Sequence, residues 1–346
     1  MKALIHNRFG PPEDALELVD LPDETPGPGD VLIRVEATPI HAGDLKNIAG
    51  EKTMIRNVET GEVRDIEGQG DMAVSFPQVP GIEGVGRVVE IGPDVGGVAV
   101  GDRVFLPLQC GSWREQVVAE AARLIPAPEG DAAQLALMVN AFTADFALRD
   151  LAPLGPGDWF VQNSANSNVG RVLIALARLR GIRTANIVRR AALVDELKAL
   201  GADVVLVDGD DLPARLHAAT GGAPLTIGLD GVAGDATGRL AECLSNGATV
   251  ANFGLMSGET CKIEPWILHY KRTCVRGYYA GFNLLERSFD EQKAIIVELA
   301  DLIAAGKIGA RIAATYPLEK YREAVSHAAR EGTAREGKLV FDLTAG

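Results

Sequence analysis

The sequence predicts an α/β protein, with a doubly wound parallel sheet accompanied by a second, β-rich domain. The chain has 346 residues, which suits about two domains. Apolar β-runs alternate with helical patterns over residues 158–279, and this alternation is typical of a parallel sheet. Glycine and proline interrupt the first third of the chain at short intervals, as in a small barrel or sandwich.

Composition excludes several classes of protein. Asp and Glu number 47 against 34 Lys and Arg, a net charge of −13, so nucleic acid and anionic membranes are poor partners. The four cysteines form no C-x-x-C pair, which argues against a disulfide framework and a cysteine-based zinc site. No apolar run reaches the ~18 residues of a membrane span. We therefore expect a soluble, cytoplasmic protein.

The first third of the chain is predicted to be rich in strands. Strands are expected over residues 31–37, 84–92 and 102–105. A polar stretch, 51–75, carries many charges and few large apolar side chains. We interpret this stretch as an exposed excursion; the alternative is a lid over a site.

The middle of the chain is predicted to supply the parallel sheet. Six strands are expected, at residues 158–162, 184–188, 204–207, 225–230, 248–253 and 274–279. Helices are predicted over 170–179, 194–200 and 291–305. The tail reads as strand, helix and strand at 310–316, 318–329 and 338–343. It could return to the first domain, which would make that domain discontinuous.

The turn after the first strand of this sheet, residues 163–170, is a candidate phosphate site. A dinucleotide pyrophosphate binds where a strand feeds a helix N-terminus, because free N–H groups and the helix dipole point at it. The turn reads NSANSNVG, so only Gly170 matches a glycine of G-x-G-x-x-G. Asn and Ser side chains can add hydrogen-bond donors to phosphate. The alternative is a polar βα loop of another doubly wound fold.

The end of the second strand discriminates between cofactors. An acidic residue about 20 positions after the loop would bind the ribose 2′-hydroxyl of NAD. Arg189 and Arg190 stand there instead, and two guanidiniums suit the 2′-phosphate of NADP(H). The alternative is a solvated basic helix start, which is disfavoured because cations are unfavourable at a helix N-terminus.

The chain resembles the medium-chain dehydrogenase/reductase superfamily, most closely its zinc-independent 2-enoyl thioester reductases of the mitochondrial trans-2-enoyl-CoA reductase type. Residues 111–115, 139–144, 161–170 and 183–189 carry this likeness. The resemblance implies a Rossmann domain inserted in a discontinuous GroES-like β-barrel domain. We expect the GroES-like domain over 1–125 plus 310–346, and the NADP-binding domain over 126–309.

Two positions argue against catalytic zinc. Zinc-dependent members place a Cys before a loop Asp and a His in a Gly-His-Glu turn, and these places read His41 and Ile82 here. A zinc site needs three or four N, S or O ligands, so we expect no metal. His41 is interpreted as a packed or hydrogen-bonded residue.

The resemblance implies hydride transfer from NADPH to the β-carbon of an activated C=C bond, with a proton reaching the α-carbon. It also implies roles for particular residues, although ordinary packing is the alternative for each. The implied residues are Asn140 and Thr143 by the nicotinamide and its ribose; Asn166, Ser167, Asn168, Val169 and Gly170 at the pyrophosphate; Arg189 and Arg190 at the 2′-phosphate; Phe253, Gly254, Leu255, Met256, Tyr278, Tyr279 and Ala280 on the nicotinamide side; and Lys338 near the cofactor or acyl carrier.

One departure from the family concerns the residue that delivers the proton to the substrate. The enoyl reductases have a Tyr eight positions after the loop Asp, where this chain has Lys52 and no Tyr before Tyr270. Lys52 is our candidate to act as an acid or to orient a carbonyl; water or another residue of 51–75 is the alternative. A quinone oxidoreductase and a catalytically weak NADPH-binding sensor or structural protein therefore stay open as functions. We expect a homodimer formed through the last strand of the parallel sheet.

Overall fold

The computed structural model describes residues 1–50, 54–56, 63–65, 76–330 and 336–344. The predicted excursion, including Lys52, lies outside these residues apart from two short strands. The chain forms two compact units: unit 1 comprises residues 1–138 and 311–346, and unit 2 comprises residues 139–310. The tail therefore belongs with the N-terminal part of the chain.

The strands and helices are numbered in chain order. The strands are β1 (Lys2–His6), β2 (Leu16–Asp20), β3 (Asp30–Ile40), β4 (Met54–Arg56), β5 (Val63–Asp65), β6 (Val85–Ile91), β7 (Arg103–Phe105), β8 (Gln116–Glu120), β9 (Ile125–Pro126), β10 (Trp159–Gln162), β11 (Arg183–Val188), β12 (Val204–Val207), β13 (Ile227–Asp230), β14 (Thr249–Asn252), β15 (Cys274–Gly277), β16 (Ile312–Tyr316) and β17 (Lys338–Asp342). The helices are α1 (Pro12–Ala15), α2 (Ala42–Ala49), α3 (Ala132–Leu135), α4 (Met138–Asp150), α5 (Asn168–Leu179), α6 (Val194–Leu200), α7 (Leu212–Thr220), α8 (Asp235–Cys243), α9 (Pro265–His269), α10 (Ala280–Leu285), α11 (Phe289–Ala304) and α12 (Tyr321–Ala328).

Unit 1 is built on a seven-stranded sheet in the order β16-β17-β3-β6-β7-β9, with β8 also paired to β3. The long strand β3 buries Val31, Ile33 and Val35 on one face, where they pack with Val88 and Val117 of the neighbouring strands. The strand is buried at most positions on both faces, with Arg34 as its exposed residue, as expected of a central strand. Because β17 pairs antiparallel with β3, the C-terminal tail belongs to the same sheet as the N-terminal part of the chain, as predicted.

The boundary of unit 1 lies at residue 138 rather than the predicted 125. The physical reason is that α3, which follows the predicted boundary, packs on β3, β16 and β17 of unit 1. The second boundary differs from the prediction by one residue.

Unit 2 carries the parallel sheet, and the α/β fold class is confirmed. All six strands are parallel, in the order β12-β11-β10-β13-β14-β15. This is the 3-2-1-4-5-6 order of the dinucleotide-binding fold, whose switch point lies between its first and fourth strands, here β10 and β13. Apolar residues such as Val161, Ile187 and Val250 fill the core on one side. Within the described ranges, no helix combines the length and the apolar character needed to cross a bilayer.

Candidate functional site

The carboxyl ends of β10 and β13 are tied together at the switch point of unit 2. Asn163, which follows β10, donates from Nδ2 to Asp230 Oδ1 over 2.6 Å. Its Oδ1 accepts from the backbone N–H of Gly231 at 2.8 Å. Both the Asn163 and Asp230 side chains are buried. Their hydrogen bonds therefore lie beneath the crevice at the switch point, where this fold binds ligands. Sequence reasoning did not single out Asn163, although it belongs to the quoted turn.

Ser164 is a further residue that the sequence did not identify. Its backbone has φ of 47°, an uncommon value for a residue other than glycine. The residue is 8% exposed, and Oγ has no hydrogen-bond partner. A Cβ at Gly231 would lie 2.4 Å from this Oγ, so glycine is needed there. A buried donor without a partner beside a predicted cofactor loop is consistent with a ligand that completes the hydrogen bond.

The predicted pyrophosphate loop ends in the N-terminus of α5. Ser167 caps the helix, its Oγ accepting from the Gly170 N–H at 3.1 Å. A Cβ at Gly170 would lie 2.6 Å from the Ala165 carbonyl oxygen, which explains why glycine is needed where helix and loop meet. Asn168 and Val169 lie in the first turn of α5, where backbone N–H groups point out of the end of the helix. Asn166 and Ser167 are half-buried beside them, so the loop presents donors suited to phosphate.

The two arginines after β11 carry positive charge at the end of the neighbouring strand. Arg189 is exposed and Arg190 half-buried. Neither guanidinium forms an ion pair within the part of the chain that the structure describes. Because no counter-charge neutralises them there, both remain able to bind a phosphate group.

The predicted nicotinamide residues of α4 lie close to β15. Asn140 is 6% exposed, and its Nδ2 has no hydrogen-bond partner. Thr143 Oγ1 donates to the Val139 carbonyl oxygen at 2.6 Å. The Tyr278 hydroxyl donates to the Thr143 carbonyl oxygen, also at 2.6 Å, and burial raises the pKa of this phenol. Tyr278 therefore supports the helix, whereas Asn140 offers an unused amide donor.

The segment after β14 passes the same crevice. The Phe253 ring lies against Gly231, where an added Cβ would come within 2.9 Å of its Cε1. A Cβ at Gly254 would lie 2.6 Å from the Gly231 carbonyl oxygen, so the two backbones approach closely. Leu255 and Met256 are 52% and 53% exposed, so both side chains are accessible to a ligand.

The last of the residues predicted to lie on the nicotinamide side are at the start of α10. Ala280 is buried, whereas Tyr279 is 49% exposed and packs edge-on against the Phe282 ring, with 5.2 Å between ring centroids. Tyr279 thus presents an aromatic face to solvent directly after the buried Tyr278. Whether it contacts a cofactor stays a prediction.

Unit 1 holds a buried polar cluster around His41, one of the two positions that the resemblance predicted to lack a zinc ligand. His41 Nε2 lies 2.7 Å from Glu83 Oε1, and His41 Nδ1 lies 2.9 Å from Lys338 Nζ. The Asp44 carboxylate accepts from the His41 backbone N–H at 2.8 Å, and burial raises the Asp44 pKa to about 7. An ammonium against one imidazole nitrogen does not fit a metal site. Among the described residues, no three His, Cys, Asp or Glu side chains are placed to bind a metal ion.

The predicted site residues thus fall into two groups. Those of unit 2 gather at the carboxyl edge of its parallel sheet, together with Gly231, which the sequence did not point to, and with Asn163 and Ser164, which it placed in the phosphate turn without a role of their own. Lys338 belongs to unit 1, where it contacts His41. Lys52 lies outside the described residues. A glycine directly after a strand that ends in Asp was the sequence signal that could have identified Gly231.

Comparisons with known proteins agree with this architecture. The alcohol dehydrogenase GroES-like domain matches residues 27–129, and the zinc-binding dehydrogenase model matches residues 168–295. The human mitochondrial enoyl-[acyl-carrier-protein] reductase is 30% identical over 334 residues, which is 94% of this chain and 84% of the relative.

Solved structures show the same fold at lower identity. A protein of Bacillus thuringiensis described as an NADPH:quinone reductase has a TM-score of 0.84 at 23% identity, covering 99% of this chain and 98% of its own. The complex of Etr1p with NADP and crotonyl-CoA has a TM-score of 0.82 at 21% identity, covering 99% of both chains. A 2-enoyl thioester reductase of Candida tropicalis, solved as an Etr1p/Etr2p heterodimer, has a TM-score of 0.81 at 21% identity and the same coverage.

Proposed function

The chain belongs to the medium-chain dehydrogenase/reductase superfamily, alongside the mitochondrial enoyl-[acyl-carrier-protein] reductases, and we propose that it reduces the activated C=C bond of an α,β-unsaturated thioester or carbonyl with NADPH. It is an NADPH-dependent oxidoreductase of this superfamily. The observation that carries the cofactor assignment is the Arg189–Arg190 pair, of which Arg189 is exposed and Arg190 half-buried, and neither has a counter-charge in the described structure.

The proposed mechanism gives each group of residues a defined task. Bound NADPH supplies the hydride that reaches the β-carbon. The first turn of α5 binds the pyrophosphate through N–H groups, and Arg189 and Arg190 bind the 2′-phosphate. Asn140 Nδ2 and Ser164 Oγ, both buried without partners, complete hydrogen bonds with the cofactor. Holding the cofactor in one orientation contributes to the rate because the reacting carbons then need little further ordering.

The reaction is proposed to proceed without zinc. The imidazole of His41 is occupied at Nδ1 by Lys338 and at Nε2 by Glu83, so neither nitrogen is available as a ligand. The proton for the α-carbon is proposed to come from Lys52 or from water. Metal analysis of the purified protein tests the first point: activity that persists at less than ~0.1 zinc per chain supports it, and loss of activity on chelation contradicts it.

Substrate comparison separates the candidate functions. NADPH oxidation is measured with crotonyl-CoA and with 1,4-naphthoquinone. We expect turnover of the thioester, whereas turnover of the quinone alone would assign a quinone oxidoreductase, the second candidate, since a protein described as an NADPH:quinone reductase shares this fold. Tight NADPH binding with neither turnover would indicate a sensor or structural protein.

Cofactor preference has its own test. We expect Arg189→Ala with Arg190→Ala to weaken NADPH binding by about 10- to 100-fold, since the 2′-phosphate loses a charge-assisted bond with each guanidinium that is removed. NADH, which lacks the 2′-phosphate, should bind the variant as it binds the wild type. Equal losses for the two cofactors would contradict the assignment.

We also propose a homodimer formed through β15, the edge strand of the parallel sheet. All four of its residues, 274–277, are exposed, and an open edge with free N–H and C=O groups favours pairing with another strand. Sedimentation should give a dimer for the wild type and a monomer for Val275→Lys, which places a charge on this edge. A monomeric wild type would overturn the proposal.

We also propose that the protein binds neither nucleic acid nor membranes and that it is located in the cytoplasm. Acidic residues outnumber basic ones by 28 to 17 in unit 1 and by 19 to 17 in unit 2, so neither unit offers a net positive charge. Co-sedimentation with anionic vesicles tests membrane binding, and cell fractionation tests the location; recovery in the membrane fraction would contradict both of these points.

A further inference from the structure

We propose that Asp230 determines how the site of unit 2 discriminates between the two redox forms of its cofactor: its buried negative charge favours the oxidised form, NADP⁺, over NADPH. The oxidised nicotinamide ring carries a positive charge that the reduced ring lacks. A fixed anion near this ring therefore binds the two forms unequally. Because the charge acts on the cofactor of the same reaction, the inference rests on the proposed function.

The carboxylate of Asp230 is fully buried and is surrounded by hydrogen-bond donors. Its Oδ1 accepts from Asn163 Nδ2 at 2.6 Å and from the backbone N–H groups of residues 232 and 233 at 2.9 and 3.1 Å. Its Oδ2 accepts from Thr237 Oγ1 at 2.6 Å and from Asn252 Nδ2 at 3.1 Å. Donors placed around both oxygens stabilise the ionised form of a carboxyl group.

The charge of Asp230 has no cationic partner. Among the described residues, no lysine, arginine or histidine forms an ion pair with it, although buried charges in proteins are usually paired. Asp145, the other fully buried acid of unit 2, contacts both Arg149 and Arg180. Neutral donors stabilise a negative charge without cancelling it. The field of Asp230 therefore extends into its surroundings, where little water screens it.

The position of Asp230 places this charge on the nicotinamide side of the crevice. Asp230 is the last residue of β13, and the switch point lies between β10 and β13. Arg189 and Arg190, which are proposed to bind the 2′-phosphate, follow β11 on the opposite side of β10. A dinucleotide lies across the switch point with its two halves on opposite sides. We therefore expect the nicotinamide half at the ends of β13 and β14.

The sign of this charge suits a site that donates hydride to a substrate. A carboxylate fixed in advance stabilises the positive charge that hydride donation leaves on the cofactor, and it needs no reorganisation to do so. Tighter binding of the oxidised form also lowers the reduction potential of the bound cofactor, which makes it a stronger hydride donor. A tenfold change in the ratio of the two dissociation constants corresponds to about 30 mV for a two-electron couple.

Asp230→Asn removes the charge and keeps most of the hydrogen bonds. The remaining side-chain oxygen can take the place of Oδ1 and accept from the same donors. The amide nitrogen then takes the place of Oδ2 and donates to Thr237 Oγ1, since a hydroxyl can accept as well as donate. Asn252 Nδ2 loses one acceptor but keeps the Gly254 carbonyl oxygen at 3.0 Å. Thr237→Val is the matched control, because it removes one hydrogen bond to the carboxylate and leaves the charge in place.

Calorimetric titration gives the dissociation constants of NADP⁺ and NADPH for each variant. We expect Asp230→Asn to raise the ratio of the NADP⁺ constant to the NADPH constant by about 3- to 10-fold, because only the oxidised ring loses an attraction. Adenosine 2′,5′-bisphosphate, which lacks the nicotinamide half, should bind this variant within about twofold of the wild type. In Thr237→Val both redox forms should change by the same factor.

The charge can also be moved to the neighbouring position. Thr237 Oγ1 lies 2.6 Å from the Asp230 carboxylate, so adding Thr237→Asp to Asp230→Asn returns an anion to the same place, where it can accept from the new amide. This double variant should recover the wild-type ratio to within about twofold, whereas Asp230→Asn with Thr237→Asn, which differs from it by one charge, should not. The same two double variants carry the test if Asp230→Asn alone does not fold.

Three results would refute a role for the charge: an unchanged ratio in Asp230→Asn, a ratio that rises equally in Thr237→Val, or equal ratios in the two double variants. Each would show that Asp230 acts only by shaping the loop that follows β13. The titrations need no turnover. A wild type that is inactive on crotonyl-CoA would therefore refute the proposed function, while the ratios alone decide the role of Asp230.

Discussion

The buried carboxylate of Asp145 on α4 allows a quantitative test of what supports the site in unit 2. Its side chain is fully buried. Arg149 Nε lies 2.7 Å from its Oδ2, and Arg180 Nη2 contacts its Oδ1. The Arg149 and Arg180 side chains are 37% and 24% exposed. Replacing the carboxylate by an amide in Asp145→Asn would leave two cations that regain only part of their hydration.

The cost follows from these exposures. Breaking a fully buried ion pair costs about 3–5 kcal/mol. Because both guanidiniums reach solvent, we expect Asp145→Asn to lower the free energy of unfolding by about 2–4 kcal/mol. Unit 2 has about 170 residues, and at about 2–4 °C per kcal/mol the melting temperature should fall by about 4–16 °C.

A matched control lies on the same helix. Asp150 pairs with Arg287 at 2.7 Å, but its side chain is 23% exposed, so Asp150→Asn should cost only about 1 kcal/mol. Guanidinium unfolding of both variants, with calorimetry, measures the difference. Equal costs for the two variants, or an Asp145→Asn protein within about 0.5 kcal/mol of the wild type, would show that burial does not govern the strength of this pair.

Three further predictions concern single residues. Burial raises the folded pKa of Asp44 from 3.8 to about 7; a raised pKa stabilises the fold below about pH 4, and this stability is lost as pH rises through 7. Unfolding free energies should therefore fall by about 1.4 kcal/mol per pH unit within that window and be flatter in Asp44→Asn. Gly170→Ala should cost about 2–3 kcal/mol and weaken NADPH binding, because its Cβ would lie 2.6 Å from a backbone oxygen; Gly155→Ala, whose Cβ would meet its nearest neighbour at 3.8 Å, is the control in thermal melts. Tyr278→Phe should cost about 1 kcal/mol by chemical denaturation, since the Thr143 carbonyl oxygen loses its 2.6 Å donor; no change in stability would contradict a supporting role.

Much of the fold could be predicted from local patterns. Each predicted strand of unit 2 overlaps an observed one, and the predicted range 204–207 coincides with Val204–Val207. Boundaries were less certain. The helix predicted over 291–305 begins at Phe289, because Ser288 caps it in a capping box with Glu291. Such a cap is visible in the sequence as Ser followed three residues later by Glu, and the prediction overlooked it.

The sequence by itself determined the superfamily, the parallel sheet and the preference for NADP(H), the cofactor with the additional 2′-phosphate. These properties rest on neighbouring residues: apolar periodicity, a polar turn before a helix, and two adjacent arginines. They are readable because a strand or a helix start is a local structure whose requirements lie within a few residues.

Only the tertiary structure decided which distant side chains share hydrogen bonds. His41 and Lys338 are 297 positions apart, and Asn163 and Asp230 are 67 apart. Strand pairing brings such residues within 3 Å, and no local pattern records it. The same holds for Ser164 and Asn140, whose unpartnered polar atoms are defined by what surrounds them. Burial and the lack of a partner are properties of the folded chain, which is why the sequence named Asn140 only through a resemblance and passed over Ser164.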